Sequence, residues 1–173
     1  MNLIITCGRH LEPEAAEEIR QTLDDFGDKD PNVEISDLSG IVTASTDLDP
    51  FLVVKKIREK ILDEPWSIRY CLRIIPIQET VDTDKEHIAN AVLNHVKPIK
   101  PQNTYRITVE KRHHTISTSE IISEIANRIQ NKVSLEKFDW MVLVEIVGKK
   151  TGVSVLKRDD IVSTQKLKRS LSE

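Results

Sequence analysis

Glycine is scarce in this chain, with five residues at positions 8, 27, 40, 148 and 152. None of them falls at G-x-G-x-x-G or G-x-x-x-x-G-K spacing, which excludes the common backbone cradles for dinucleotides and nucleoside triphosphates. Cysteine is limited to Cys7 and Cys71, with no C-x-x-C partner. That argues against a thiolate zinc site and fits a reduced, cytoplasmic setting, where the two thiols would approach each other only if they fell on neighbouring strands. There is no G-x-S-x-G elbow and no H-E-x-x-H pair, so neither a hydrolase nucleophile nor a zinc protease is signalled. Aromatics are few, at 4%. No apolar run reaches the length of a membrane span, and "MNLIITCGRHLEPE" lacks the basic-then-apolar layout of a signal peptide. The expectation is a cytoplasmic protein with no membrane partner, no metal and no cofactor.

What is present is charge, and it is unevenly placed. Residues 1–83 hold 17 acidic and nine basic side chains, a balance of −8; residues 84–173 hold 11 and 16, a balance of +5. Such a split indicates two modules, of which the basic one is the candidate for an anionic partner. With 173 residues the chain can bury a real core in one large or two small domains.

The patterning agrees with two modules. "NLIITC" is a short strand, and the following helix carries Ala15, Ile19, Leu23 and Phe26 at helical spacing with Gly27 as its stop. "VEIS" and "GIVTAS" read as two strands of a hairpin. Asp49-Pro50 opens a second helix with Leu52, Val53, Ile57 and Ile61 on its apolar face. "SIRYCLRIIPIQETV" then reads as one long strand. The order β-α-β-β-α-β over residues 1–82 is that of a ferredoxin-like domain. Beyond it, residues 84–96 predict a helix and "TYRITVE" a strand with one wet face. Ser117 to Glu120 is a capping box opening a helix with Ile121, Ile122, Ile125, Ala126, Ile129 and Val133. "WMVLVEIVG" predicts a central strand covered on both faces, and "KKTGVSVL" its partner. The second module, residues 83–160, reads α-β-α-β-β, and residues 161–173 read as a basic tail with little core potential. The fold class expected is α+β.

The joint between "YRITVE" and the Ser117 helix holds Lys111, Arg112, His113 and His114. A helix start leaves unpaired N–H groups and a partial positive charge there. Guanidinium and ammonium groups beside it would hold phosphate oxygens. A solvated loop of the same composition is the plain alternative. His113 and His114 are adjacent, with no cysteine or carboxylate cluster, which argues against a shared zinc. Further basic pairs lie at Lys149-Lys150, in the hairpin turn, and at Lys157-Arg158, after the last strand. Arg106 lies in the "TYRITVE" strand, and Lys166, Lys168 and Arg169 lie in the tail. Together these twelve residues are expected to form one continuous electropositive face for a phosphate-bearing partner.

The stretch "YRITVEKRHHTISTSEIISEIANRIQNKV", followed by "LEKFDWMVLVEIVGKKTGVSVLKRDDI", resembles a THUMP domain, an RNA-binding module of tRNA-modifying enzymes. The preceding β-α-β-β-α-β resembles the ferredoxin-like domain that accompanies it, so the expected architecture is that domain followed by an α/β THUMP domain with a mixed sheet. With no room in 173 residues for a catalytic domain, the resemblance implies a non-enzymatic adaptor. It would bind tRNA and present a D-arm cytidine of serine and leucine tRNAs to a separate RNA cytidine acetyltransferase, the enzyme that uses acetyl-CoA. Two alternatives stand beside it: an RNA-binding subunit of another enzyme, such as a methyltransferase, and a ferredoxin-like small-molecule sensor. The acidic first half suits shape or protein docking better than phosphate contact.

Overall fold

Consecutive branched aliphatics build β1 (Leu3–Cys7) in the computed structural model, which describes residues 1–173. Helix α1 (Glu12–Asp25) follows, with Pro13 and two glutamates in its first turn, where negative charge suits the helix dipole. Strands β2 (Asn32–Ile35) and β3 (Ile41–Ser45) form the expected hairpin. Gly40 precedes β3 at φ 77°, and a Cβ there would lie 2.9 Å from the Cys7 carbonyl oxygen. Only glycine allows both that backbone angle and that approach. Helix α2 (Pro50–Asp63) is capped by Asp49, whose carboxylate accepts from Phe51 N–H at 2.9 Å. Strand β4 (Cys71–Pro76) completes the motif.

The strands of this first unit lie in the order β2-β3-β1-β4, every pair antiparallel, as a split βαβ requires. Both helices pack one face of the sheet. Ile19, Leu23, Ile57 and Ile61 are almost wholly withdrawn from water against Leu3, Ile5, Val42 and Ile74. Each is worth roughly 1.5–3 kcal/mol of transfer free energy.

Three expectations from the sequence are corrected here. The long strand over "SIRYCLRIIPIQETV" is two strands in two sheets. After β4 the chain leaves at Ile77, and β5 (Glu79–Asp82) pairs with another strand altogether. Pro76 has no N–H to extend the ladder, and Gln78 is held by Val153 O, which accepts its N–H at 3.0 Å. The compact units accordingly divide between Pro76 and Ile77 rather than at residue 82. The supposed basic tail is part of the first unit. Strand β9 (Val162–Ser163) pairs with β4, and α5 (Thr164–Ser170) follows it, with Thr164 Oγ1 donating to Cys71 O at 2.9 Å. Val162 is fully buried.

The second unit, Ile77–Arg158, holds β5, α3 (Lys85–Leu93), β6 (Tyr105–Arg112), α4 (Thr118–Ala126), β7 (Trp140–Val147) and β8 (Lys150–Leu156). Its sheet runs β5-β8-β7-β6, with β6 and β7 parallel and the other pairs antiparallel, so it is mixed as expected. Helix α3 contributes Ile88 and Val92, and α4 contributes Ile121 and Ile125, to a core with Val142, Val144, Ile146 and Val153. Strand β7 is internal and buried from Val142 to Ile146, Glu145 included. Helix α4 is shorter than its apolar period implied. It ends at Ala126, and Val133 instead bridges to Tyr105 as extended chain. Two backbone bonds hold that segment there, Tyr105 N–H to Lys132 O at 3.1 Å and Ser134 N–H to Tyr105 O at 3.0 Å. No helix is long and apolar enough to cross a membrane.

Candidate nucleic-acid interface

Parallel pairing of β6 with β7 decides where the basic residues emerge. Arg112 lies beside Val147 in register, and Gly148 N–H donates to Arg112 O at 3.4 Å. The loop after β6 and the hairpin after β7 therefore leave the sheet at the same end. At the joint the backbone turns through a left-handed residue, His113 at φ 50°. His114 Nδ1 accepts from Ile116 N–H at 2.9 Å, and Lys111 Nζ donates to Ile116 O at 3.1 Å. An imidazole that accepts at Nδ1 carries its proton on Nε2, which leaves that N–H as a donor. Ser117 Oγ then caps α4, accepting from Glu120 N–H at 3.3 Å. In the hairpin, Gly148 takes φ 63° and Lys149 is exposed.

Not every cation at this end is available. Arg112 Nη1 lies 2.5 Å from Glu145 Oε2, a carboxylate that is fully buried. Its guanidinium compensates an internal charge, which gives Arg112, expected from the sequence as a phosphate ligand, a structural partner inside the unit. Lys150 Nζ lies 2.7 Å from Asp82 Oδ1. That hydrogen bond and charge hold the Asp82 carboxyl below the ordinary carboxylate range. Lys111, His113 and Lys149 are the exposed basic groups left at this end.

The opposite end of the same sheet collects a second set. Arg106, the second residue of β6, donates from Nη1 to Leu135 O at 2.9 Å. Lys157 Nζ sits 4.9 Å from the Trp140 ring centroid, and the Arg158 guanidinium carbon sits 4.7 Å from that of Phe138. Lys132 and Lys137, exposed on the segment between α4 and β7, belong here too. The sequence reading passed over both lysines and both rings. The signal was "KVSLEKFDW", where two lysines lead into two aromatics, a composition suited to stacking as well as charge. Strands of eight residues separate the two ends, which puts them roughly 25 Å apart.

The third set belongs to the first unit. Lys166 and Arg169 are exposed on α5, in the first unit, and Lys168 Nζ donates to Ile68 O. Within the second unit the basic residues fall into two clusters at opposite ends of the sheet, and Lys166 and Arg169 belong to the first unit. Counted by unit, the first has a charge of −6 and the second +3.

Cys7 and Cys71 are cross-strand neighbours in β1 and β4, both buried free thiols. Burial and nearby glutamates push the Cys7 thiol up to about 11, and burial pushes Cys71 up further. Neither is poised as a nucleophile at neutral pH.

Residues 82–156 match the THUMP domain family, so the chain contains a THUMP domain spanning the end of β5 through β8. No curated protein matches the sequence. Several solved structures match the fold. PH1313 from Pyrococcus horikoshii Ot3 aligns over 91% of this chain and 55% of its own, at TM-score 0.69 and 16% identity. TrmN from Thermus thermophilus aligns over 88% and 44%, at 0.57 and 15%. A 4-thiouridine synthetase solved as an RNA complex with bound ATP aligns over 94% and 42%, at 0.55 and 15%. The chain therefore spans about half the length of these proteins or less, and the likeness is one of fold.

Proposed function

We propose that the chain binds tRNA on behalf of a tRNA-modifying enzyme. The observation that carries this reading is the THUMP domain at residues 82–156 together with exposed cations at both ends of its sheet. The likeness to a 4-thiouridine synthetase solved with RNA extends through the first unit as well and supports the same class of ligand. Lys111 and Lys149 act as point charges toward phosphates, and the His114 Nε2–H adds a neutral donor. At the far end, Lys157 over Trp140 and Arg158 over Phe138 join charge to π-faces. That combination suits unpaired, splayed nucleotides of a structured RNA better than a regular duplex.

Within this class, the finer reading is a non-catalytic adaptor. It holds serine and leucine tRNAs so that a D-arm cytidine meets a separate RNA cytidine acetyltransferase, which supplies the acetyl-CoA chemistry. The test is to incubate the purified protein with total tRNA, sequence what is retained, and then add the acetyltransferase with acetyl-CoA. Enrichment of long-variable-arm tRNAs and acetylcytidine formation dependent on this chain are expected. Retention without selectivity, and acetylation indifferent to the chain, would remove the adaptor reading and leave general tRNA binding.

A further inference from the structure

The first unit has a groove of about 440 Å³ that the RNA reading does not use. One wall is a stripe of α1, with Glu14, Glu17, Gln21 and Asp25 exposed at helical spacing. The other is formed by Lys60 of α2, Ser67 and Tyr70. Trp66 stands in the same short 3₁₀ turn as Ser67 and is 71% exposed, more than any other large apolar side chain of this unit. The Ser67 hydroxyl is buried without a hydrogen-bond partner. Glu18, at the back of the groove, is already committed. Its carboxylate accepts the N–H groups of Arg69, Tyr70 and Cys71 at 2.8, 2.9 and 2.9 Å. This fixes the backbone at Tyr70, while the turn that carries Trp66 is closed separately by Ser67 N–H donating to Glu64 O at 2.9 Å.

We infer that this groove docks a basic, partly apolar segment of a partner protein, with Trp66 as its anchor. Charge decides the class of partner. A wall carrying Glu14, Glu17 and Asp25 repels phosphates and attracts lysine and arginine, so a nucleic acid is excluded on the same ground that admits a cationic peptide. Arg20 already faces Glu17 at 2.9 Å and Lys60 faces Asp25 at 3.7 Å, exposed pairs that a partner's cations can exchange with. Trp66 does not itself line the groove but adjoins Ser67, which does, and an exposed tryptophan is among the side chains that most often dominate binding energy at protein interfaces. The acidic face then serves a purpose that the basic unit cannot: it leaves the tRNA-binding cations unoccupied while the enzyme is held.

This inference rests on the reading of the chain as partner to a modifying enzyme, so the experiment separates the two. The unaltered chain, Glu14→Lys/Glu17→Lys and Trp66→Ala are compared in two assays. The first is tRNA binding without enzyme. The second is capture of the purified RNA cytidine acetyltransferase after nuclease treatment, so that no RNA bridges the two. Circular dichroism on each variant confirms folding, which both changes should preserve because the three side chains are exposed. The expected result is tRNA affinity within threefold of wild type for both variants, and enzyme capture weakened tenfold or more by each. Equal capture by wild type and variants, or no capture by a wild type that binds tRNA, overturns the docking groove. Loss of tRNA binding by wild type would instead strike the functional reading, and the capture series alone would then decide the groove.

Discussion

Arg112 and Lys111 are adjacent in the chain and opposite in use. Their side chains point to the two faces of β6, so one meets the buried Glu145 and the other meets solvent and the Ile116 carbonyl. Arg112→Ala leaves Glu145 buried without its guanidinium, and an unfolding free energy lower by about 3 kcal/mol is expected from denaturant titration. A loss of tRNA affinity with unchanged stability would show that Arg112 belongs to the RNA surface after all. A second buried acid sets a pH dependence. Asp28 accepts from Thr46 Oγ1 at 2.5 Å and from the N–H groups of Asp47 and Asp30, and these bonds hold its carboxyl below the ordinary value of 3.8. A depressed carboxyl stabilises the fold above its unfolded value and loses that contribution as pH falls through the folded value. Asp28→Asn is therefore expected to cost about 1–2 kcal/mol at pH 7, a difference that narrows below pH 4. A cost that stays constant from pH 7 to pH 3 would separate it from the carboxylate.

Among the elements, those set by local signals were legible in advance. The Asp49-Pro50 opening of α2, the Ser117 cap of α4 and the alternation in β6 each depend on neighbours in sequence, and each is where the spacing put it. What failed depends on distant partners. The end of α4 is fixed by Tyr105 bonding to Lys132 and Ser134, and the split between β4 and β5 by the pairing of Gln78 with Val153. Neither bond is visible in a window of apolar periodicity. The candidate site divides the same way. The strand-to-helix joint was readable, but which of its cations are neutralised was not, because Glu145 and Asp82 lie 33 and 68 residues away. Gly40 is the turn residue whose replacement is most informative. Gly40→Ala combines φ 77° with a 2.9 Å contact to the Cys7 carbonyl, and a loss of about 2 kcal/mol is expected in a thermal melt. An unchanged melting temperature would mean that the β2–β3 hairpin relaxes freely around the added methyl.

For the whole molecule, the return of residues 159–173 to the first unit means that the chain's two halves are not its two units. Removing residues 159–173 takes away β9, the fully buried Val162 and the Thr164 bonds to β4. Faster amide exchange along Cys71–Pro76 is expected, with β7 of the second unit unaffected; exchange unchanged in β4 would make the segment an accessory. The charge division, −6 against +3, is the ground on which a cationic protein is proposed for the first unit and a polyanion for the second. Underlying the functional reading is the proposition that the THUMP unit grips tRNA through exposed lysines at the ends of its sheet. Measuring tRNA affinity against salt for wild type and for Lys111→Ala/Lys149→Ala probes that grip without an intermediary. Deleting one phosphate-neutralising cation should lower the slope of log K against log salt by roughly 0.7–0.9. The double variant is expected to show a slope shallower by about 1.5 and weaker binding at every salt concentration. Superimposable curves for the two proteins would contradict the lysine grip.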